Sequence, residues 1–234
     1  MAKFYGGRSE YQVNNLNWYS KTSRVWFLAV ILVPIIFFGF FNHTAGGLVV
    51  LSLFLLPIQW FVRNQGTGES MKHSRFYRGI FGEAVVRFEL TKLDDRFFVF
   101  QGLRLPGRID DIDYVVYGPT GIFVIEVKSH KGIISFNGNE LLRNGYKIEG
   151  KDFIKQTMGE AFKLHNFLFL TSNKDLFVSP ILCFSDPSTH VDSAIKRTKN
   201  IFIIHKTDLN ELILSGNNTV VLPEIIDSLA SIVN

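Results

Sequence analysis

Between Arg24 and Arg63 the chain runs for 38 residues without one Asp, Glu, Lys or Arg. A transmembrane helix needs ~20 apolar residues, and a straight helix of this run would be ~57 Å long against a hydrocarbon core of ~30 Å. The run also interrupts itself at Asn42-His43-Thr44-Ala45-Gly46-Gly47. We therefore expect two transmembrane helices, about Val25–Phe41 and Gly47–Val62, closed by a very short turn. Pro34 and Pro57 fall inside the spans, where neighbouring helix and side chains can re-satisfy the backbone. A secretory signal peptide fits poorly, because 24 residues precede the run and no small-x-small site follows Phe41. A buried core hairpin is the other alternative.

The flanks set the orientation. Lys21 and Arg24 precede the first span, Arg63, Lys72, Arg75 and Arg78 follow the second, and the turn is uncharged. The positive-inside rule places both ends in the cytoplasm. Trp18, Tyr19, Trp26 and Trp60 lie near the span ends, where amphipathic rings favour the interface. The expectation is a multi-pass membrane protein with the lipid bilayer as partner, its N-terminus and its following domain both cytoplasmic. Gly39, Ala45, Gly46 and Gly47 would permit close helix contacts, hence a homo-oligomer built through the hairpin. This divides the chain into a cytoplasmic segment (1–24), the hairpin (25–63), a basic linker (64–77) and a domain (78–234).

Charge is divided the same way. Residues 1–63 carry Lys3, Arg8, Lys21, Arg24 and Arg63 against Glu10, while residues 64–234 hold 20 basic and 20 acidic residues and sum to zero. The net +4 of the whole chain therefore says nothing about a nucleic-acid surface in the domain. A single Cys, Cys183, excludes an internal disulfide framework and a multi-Cys zinc site, and its apolar surroundings read as a buried strand. No phosphate-cradling glycine loop occurs, so nucleotide hydrolysis has no motif.

From Arg78 onward the pattern is mixed α/β. Arg78–Leu93 has helical spacing; Arg96–Gln101, Ile109–Tyr117, Gly121–Lys128 and Gly132–Phe136 read as short strands. Asp152–Leu170 reads as a helix with Phe153, Ile154, Met158, Ala161, Phe162 and His165 near one face. Phe177–Phe184 and Asn200–His205 read as strands, with helices over Asp208–Leu214 and Pro223–Val233. The informative segment is Gly-Ile-Phe-Val-Ile-Glu-Val-Lys, 121–128. It describes a strand buried on both faces, and a carboxylate at its end is costly unless paired or bound to a cation. Glu126 and Lys128 share a face by the strand period of two. A hairpin through Gly118-Pro119-Thr120-Gly121 would bring Asp113 of the preceding strand near the same end. Two carboxylates beside a lysine suit a magnesium ion and phosphodiester hydrolysis. A buried Glu126–Lys128 ion pair is the plain alternative, and Glu149-Gly150-Lys151 repeats the tripeptide in a polar turn.

Gly82-Glu83 opening a helix, Arg-Ile-Asp-Asp-Ile-Asp113-Tyr, Gly-Pro-Thr-Gly, Ile-Phe-Val-Ile-Glu126-Val-Lys128 and the following Gly132 together resemble the nuclease-related domain (NERD) family. That family belongs to the restriction-endonuclease-like superfamily, with its Asp…Glu-x-Lys core. The resemblance covers about residues 78–210 and implies a restriction-endonuclease-like mixed sheet flanked by helices, here preceded by two transmembrane helices. It implies that Asp113 and Glu126 hold Mg2+ (or Mn2+), that Glu83 assists at the metal, and that Lys128 positions or activates the attacking water. Gln156 resembles a glutamine typical of the family near the start of the helix after the sheet. The chain departs from the family at Tyr114, where a His often follows the core Asp. The implied function is metal-dependent hydrolysis of nucleic acid, DNA in the first place, at the membrane. A non-cleaving nucleic-acid or protein binding module on the same fold is the alternative, motivated by Tyr114 and the neutral domain. Lys128, Lys131, Arg143, Lys147, Lys151 and Lys155 flank the site and could meet a nucleic-acid backbone. In the basic run Lys196-Arg197-Thr198-Lys199 we read a solvated loop, with a phosphate-contacting loop as its alternative.

Overall fold

The apolar run 121–128 lies where its composition demands, in the middle of a sheet covered on both faces. In the computed structural model, which describes residues 1–6, 77–150, 152–192, 197–198, 200–216 and 221–233, Gly121–Lys128 is strand β4 of a seven-stranded sheet. Residues 1–7 and 78–234 form one compact unit and residues 8–77 another. Both expected membrane spans fall outside the described residues, as do Lys151 and, in the basic run, Lys196 and Lys199. Among the described residues no helix is long and apolar enough to cross a membrane.

In chain order the elements are β1 (Lys3–Tyr5), helix α1 (77–90), β2 (Phe98–Leu103), β3 (Ile112–Gly118), β4, β5 (Gly132–Phe136), β6 (Leu141–Arg143) and β7 (Tyr146–Lys147). There follow α2 (Phe153–Ser172), β8 (Val178–Phe184), β9 (Thr189–Val191), β10 (Arg197–Thr198), β11 (Ile201–His205), α3 (Leu209–Leu214) and α4 (Pro223–Ala230). The large sheet has the order β1-β2-β3-β4-β8-β11-β10, and a smaller one the order β7-β6-β5-β9. β2, β3 and β4 pair antiparallel, whereas β4–β8 and β8–β11 pair parallel, so the sheet is mixed. The β3–β4 hairpin closes at Gly118–Gly121, as the turn sequence predicts. A Cβ on Gly118 would stand 2.3 Å from the Phe97 ring, so this turn admits only glycine there.

Strand alternation sorts the core. Phe123, Ile125 and Val127 of β4 join Val86 and Leu90 of α1 and Leu209 and Ile213 of α3. Ile122 and Val124 join Ala161, Leu164 and Leu168 of α2 and Ile225 and Leu229 of α4. By the same parity Glu126 and Lys128 belong to the α2 side, and so does Asp113, two residues before Val115. The small sheet packs separately, Ile134 and Leu141 meeting Ile154, Leu182, Phe184, Ile201 and Ile203.

Three expectations change. Lys3–Tyr5, in the segment 1–24 where the sequence pattern offered no strand, pairs in parallel with Phe98–Phe100 as an edge strand. Strand β3 starts at Ile112, and Ile109 is almost fully exposed in the preceding turn. Helix α2 is rotated from the expected face: Met158 and Phe162 are exposed, and Thr157 and Glu160 are buried in their place. The Thr157 hydroxyl satisfies itself by donating to the Phe153 carbonyl at 2.8 Å. Asp152 caps the helix, its carboxylate accepting from the Lys155 N–H at 3.0 Å, and Asn173 ends it in the left-handed conformation.

Candidate active site

The β3–β4 ladder builds the site. Tyr114 pairs with Ile125, so one step further Asp113 comes beside Glu126, and an Asp113 Oδ2 accepts the Val127 N–H at 2.8 Å. The Lys128 ammonium donates to Glu126 Oε1, with the Glu126 side chain 4% exposed and that of Lys128 20%. Lys128 Nζ also lies 4.9 Å over the Phe153 ring, where the first turn of α2 reaches the strand end. Asp113, Glu126 and Lys128 thus converge as the hairpin predicts.

Gln156 joins them. Its Nε2 donates to Glu126 Oε1 at 2.9 Å and to Glu160 Oε1 at 3.0 Å. Only an amide NH2 can serve two carboxylates at once, so the chemistry fixes the orientation of the amide. Its Oε1 is then left buried without a partner, as is Glu160 Oε2. Glu160 is the residue that sequence reasoning missed. It lies one turn beyond Gln156 and is 3% exposed; the only signal for it was that helical spacing of four from Gln156.

Glu83 comes from α1, on the opposite face of the sheet. Gly82 lets the helix approach: a Cβ there would stand 2.5 Å from Ser185 Oγ and 3.2 Å from Ser129 Cβ, beside the ends of β8 and β4. The buried Tyr114 hydroxyl donates to the Glu83 carbonyl at 2.9 Å. Where the resembled family often has His, this chain has an anchor for α1.

The electrostatics follow from crowding. Burial, then the charges of Glu126 and Glu83, push the Asp113 carboxyl well above its usual range. Burial, then Glu126, pushes Glu160 up to about 8. Four carboxyl groups act on this region against one lysine, an excess that calls for a proton or a cation. The donor set is all oxygen and suits a hard divalent ion. Among the described residues, however, no three His, Cys, Asp or Glu side chains are arranged to hold an ion. The Lys128 ammonium and the Gln156 amide occupy Glu126 Oε1, so an ion there would have to share or displace them.

Outside this cluster His165 bonds the Leu176 carbonyl and His205 the Asp186 carbonyl, and Cys183 is fully buried in its strand.

Residues 78–185 match the family model of the nuclease-related domain. That span runs from α1 to just past β8 and includes Glu83, Asp113, Glu126, Lys128, Gln156 and Glu160. The chain is also 25% identical over 175 residues to an uncharacterized protein of Bacillus anthracis, covering 71% of this chain and 76% of the relative. No solved structure matches.

Proposed function

We propose that this protein is a membrane-anchored, metal-dependent nuclease that hydrolyses phosphodiester bonds in nucleic acid, DNA in the first place. The observation that carries the reading is the convergence of Asp113, Glu126, Lys128 and Gln156 within the nuclease-related match. Asp113 and Glu126 would hold Mg2+ or Mn2+, with Glu83 assisting from α1. The ion, when bound, supplies positive charge for the reacting phosphate and acidifies a bound water. Lys128, released from Glu126, neutralises charge developing on the phosphate and orients the attacking water. Gln156 holds the Glu126 carboxylate in place through its amide. Hydrolysis forms one P–O bond to water and breaks one to the leaving oxygen, which takes up a proton.

The anchoring rests on the charge-free run between Arg24 and Arg63; the pairing of Lys3–Tyr5 with Phe98–Phe100 is compatible with two spans and not with one. A second reading, a non-cleaving binding module, is favoured by the engagement of Glu126 with Lys128 and Gln156. Calorimetric titration of the full chain with Mg2+ and Mn2+ separates the two. The nuclease reading predicts binding that tightens with rising pH and releases protons, because the raised carboxyl of Asp113 must ionise to hold the ion. It also predicts loss of binding in Asp113→Asn. Absence of binding in the wild type would leave the binding module.

A further inference from the structure

The basic residues around the site are not equivalent. Lys147 is tied to Glu140 at 2.5 Å and Lys128 to Glu126. Arg143 at the end of β6 reaches His130 instead, Nη1 lying 3.4 Å from Nδ1. A guanidinium can only donate, so Nδ1 is the acceptor and the imidazole keeps its proton on Nε2. Burial, and then the positive charges of Arg143, Lys128 and Arg78, hold the His130 pKa below its usual value. The His130 ring lies 5.3 Å from Phe153, the same ring that carries the Lys128 ammonium, so this cluster abuts the Glu126–Lys128 pair.

The hairpin that presents Arg143 is strapped to the start of β5. Ile133 N–H donates to Asn144 Oδ1 and Asn144 N–H to the Ile133 carbonyl, each at 2.8 Å. Gly132, with φ +104°, passes so close that a Cβ would stand 2.5 Å from Asn144 Oδ1. Thr189 of β9 donates to the His130 carbonyl from the other side. The turn itself uses positive φ at Asn144 and Gly145, as tight two-residue hairpin turns do. Directly across the ladder from Arg143 stands Tyr146, 79% exposed. An aromatic ring held in water on a braced two-residue strand adds nothing to the core.

We infer that the β6–β7 hairpin is a subsite for the nucleic-acid strand beside the reacting phosphate, with Arg143 and His130 holding a neighbouring phosphate and Tyr146 stacking on a base. The assignment rests on the nuclease reading for its substrate class, and its test uses binding rather than cleavage. The full chain in detergent, with EDTA present, is titrated against a short fluorescein-labelled single-stranded DNA at several salt concentrations, folding being checked by circular dichroism. Arg143→Ala should weaken binding and lower the log–log salt slope by about 0.7, one phosphate contact on a single strand. Tyr146→Ala should weaken it roughly tenfold with the slope unchanged, and Tyr146→Phe should retain it. Wild-type affinity and slope in both alanine variants would overturn the subsite, even if the wild type cleaves DNA. Binding that depends on Arg143 and Tyr146 without any cleavage would keep the subsite and sink the nuclease reading. A wild type that binds no oligonucleotide would sink both. Short-chain phosphatidylglycerol is titrated in parallel, and Arg143-dependent binding of that lipid alone would overturn the assignment in favour of a headgroup site.

Discussion

Replacing Glu160 by glutamine removes a carboxyl group that the fold buries to 3% exposure beside Glu126. Its Oε1 accepts from Gln156 at 3.0 Å, a bond the amide oxygen of the variant can keep, while Oε2 has no partner. Burial and the Glu126 charge raise its pKa from 4.5 to about 8. Folding therefore favours the protonated form, and the folded state holds more protons than the unfolded chain between those two values. The sign follows: stability is unpenalised below pH 4.5 and falls as pH rises towards 8. At 1.36 kcal/mol per pH unit the ceiling is roughly 5 kcal/mol. Relaxation and water entry around an ionised buried group lower this ceiling, so we expect about 2 kcal/mol to be realised. For a protein of this size that is a melting-temperature difference of roughly 4–8 °C. Thermal unfolding followed by circular dichroism in EDTA, from pH 5 to 8.5, reads it directly. Glu160→Gln should lose distinctly less stability with rising pH than the wild type, both proteins sharing the slope that Asp113 contributes with the same sign and the opposing slope of His130 below about pH 6.5. Parallel curves for the two proteins would refute the reasoning.

Two further outcomes follow from single contacts. Cys183 is fully buried and burial pushes its thiol pKa far up, so a thiol reagent should modify the native protein only at its rate of opening. Tyr114→Phe removes the hydroxyl that bonds the Glu83 carbonyl. It should cost about 1 kcal/mol in thermal unfolding and, through the loosened α1, weaken metal binding less than Asp113→Asn does in calorimetry.

Much of the site was legible because its signals are local. The run Ile122–Val127 could be little else than a central strand, and Gly118–Gly121 fixed the hairpin that brings Asp113 to Glu126. Gln156 was legible only through the family resemblance. Glu160 was not, because an acid in a helix ordinarily faces water. Its burial depends on the rotation of α2, which the apolar Met158 and Phe162 misdirect. Strand β1 has three residues and finds its partner at Phe98–Phe100, with no local pattern to announce it. The hairpin of Arg143 and Tyr146 is likewise too short and polar for periodicity to reveal. Its turn residues Asn144-Gly145 are a hairpin signal that only becomes decisive once strands β5 and β6 are paired. The proposed membrane spans rest on the charge-free run between Arg24 and Arg63 alone.

The central claim is that Glu126 and Lys128 form a hydrolytic centre rather than a buried ion pair. The most direct measurement is cleavage of labelled single- and double-stranded DNA and RNA by the full chain, with Mg2+ or Mn2+, for wild type and Glu126→Ala side by side. The account predicts metal-dependent cleavage, of DNA in the first place, that the variant loses by at least a hundredfold, the scale of removing one catalytic group. Equal activity in the two proteins, or none in a wild type that binds the metal, would contradict it.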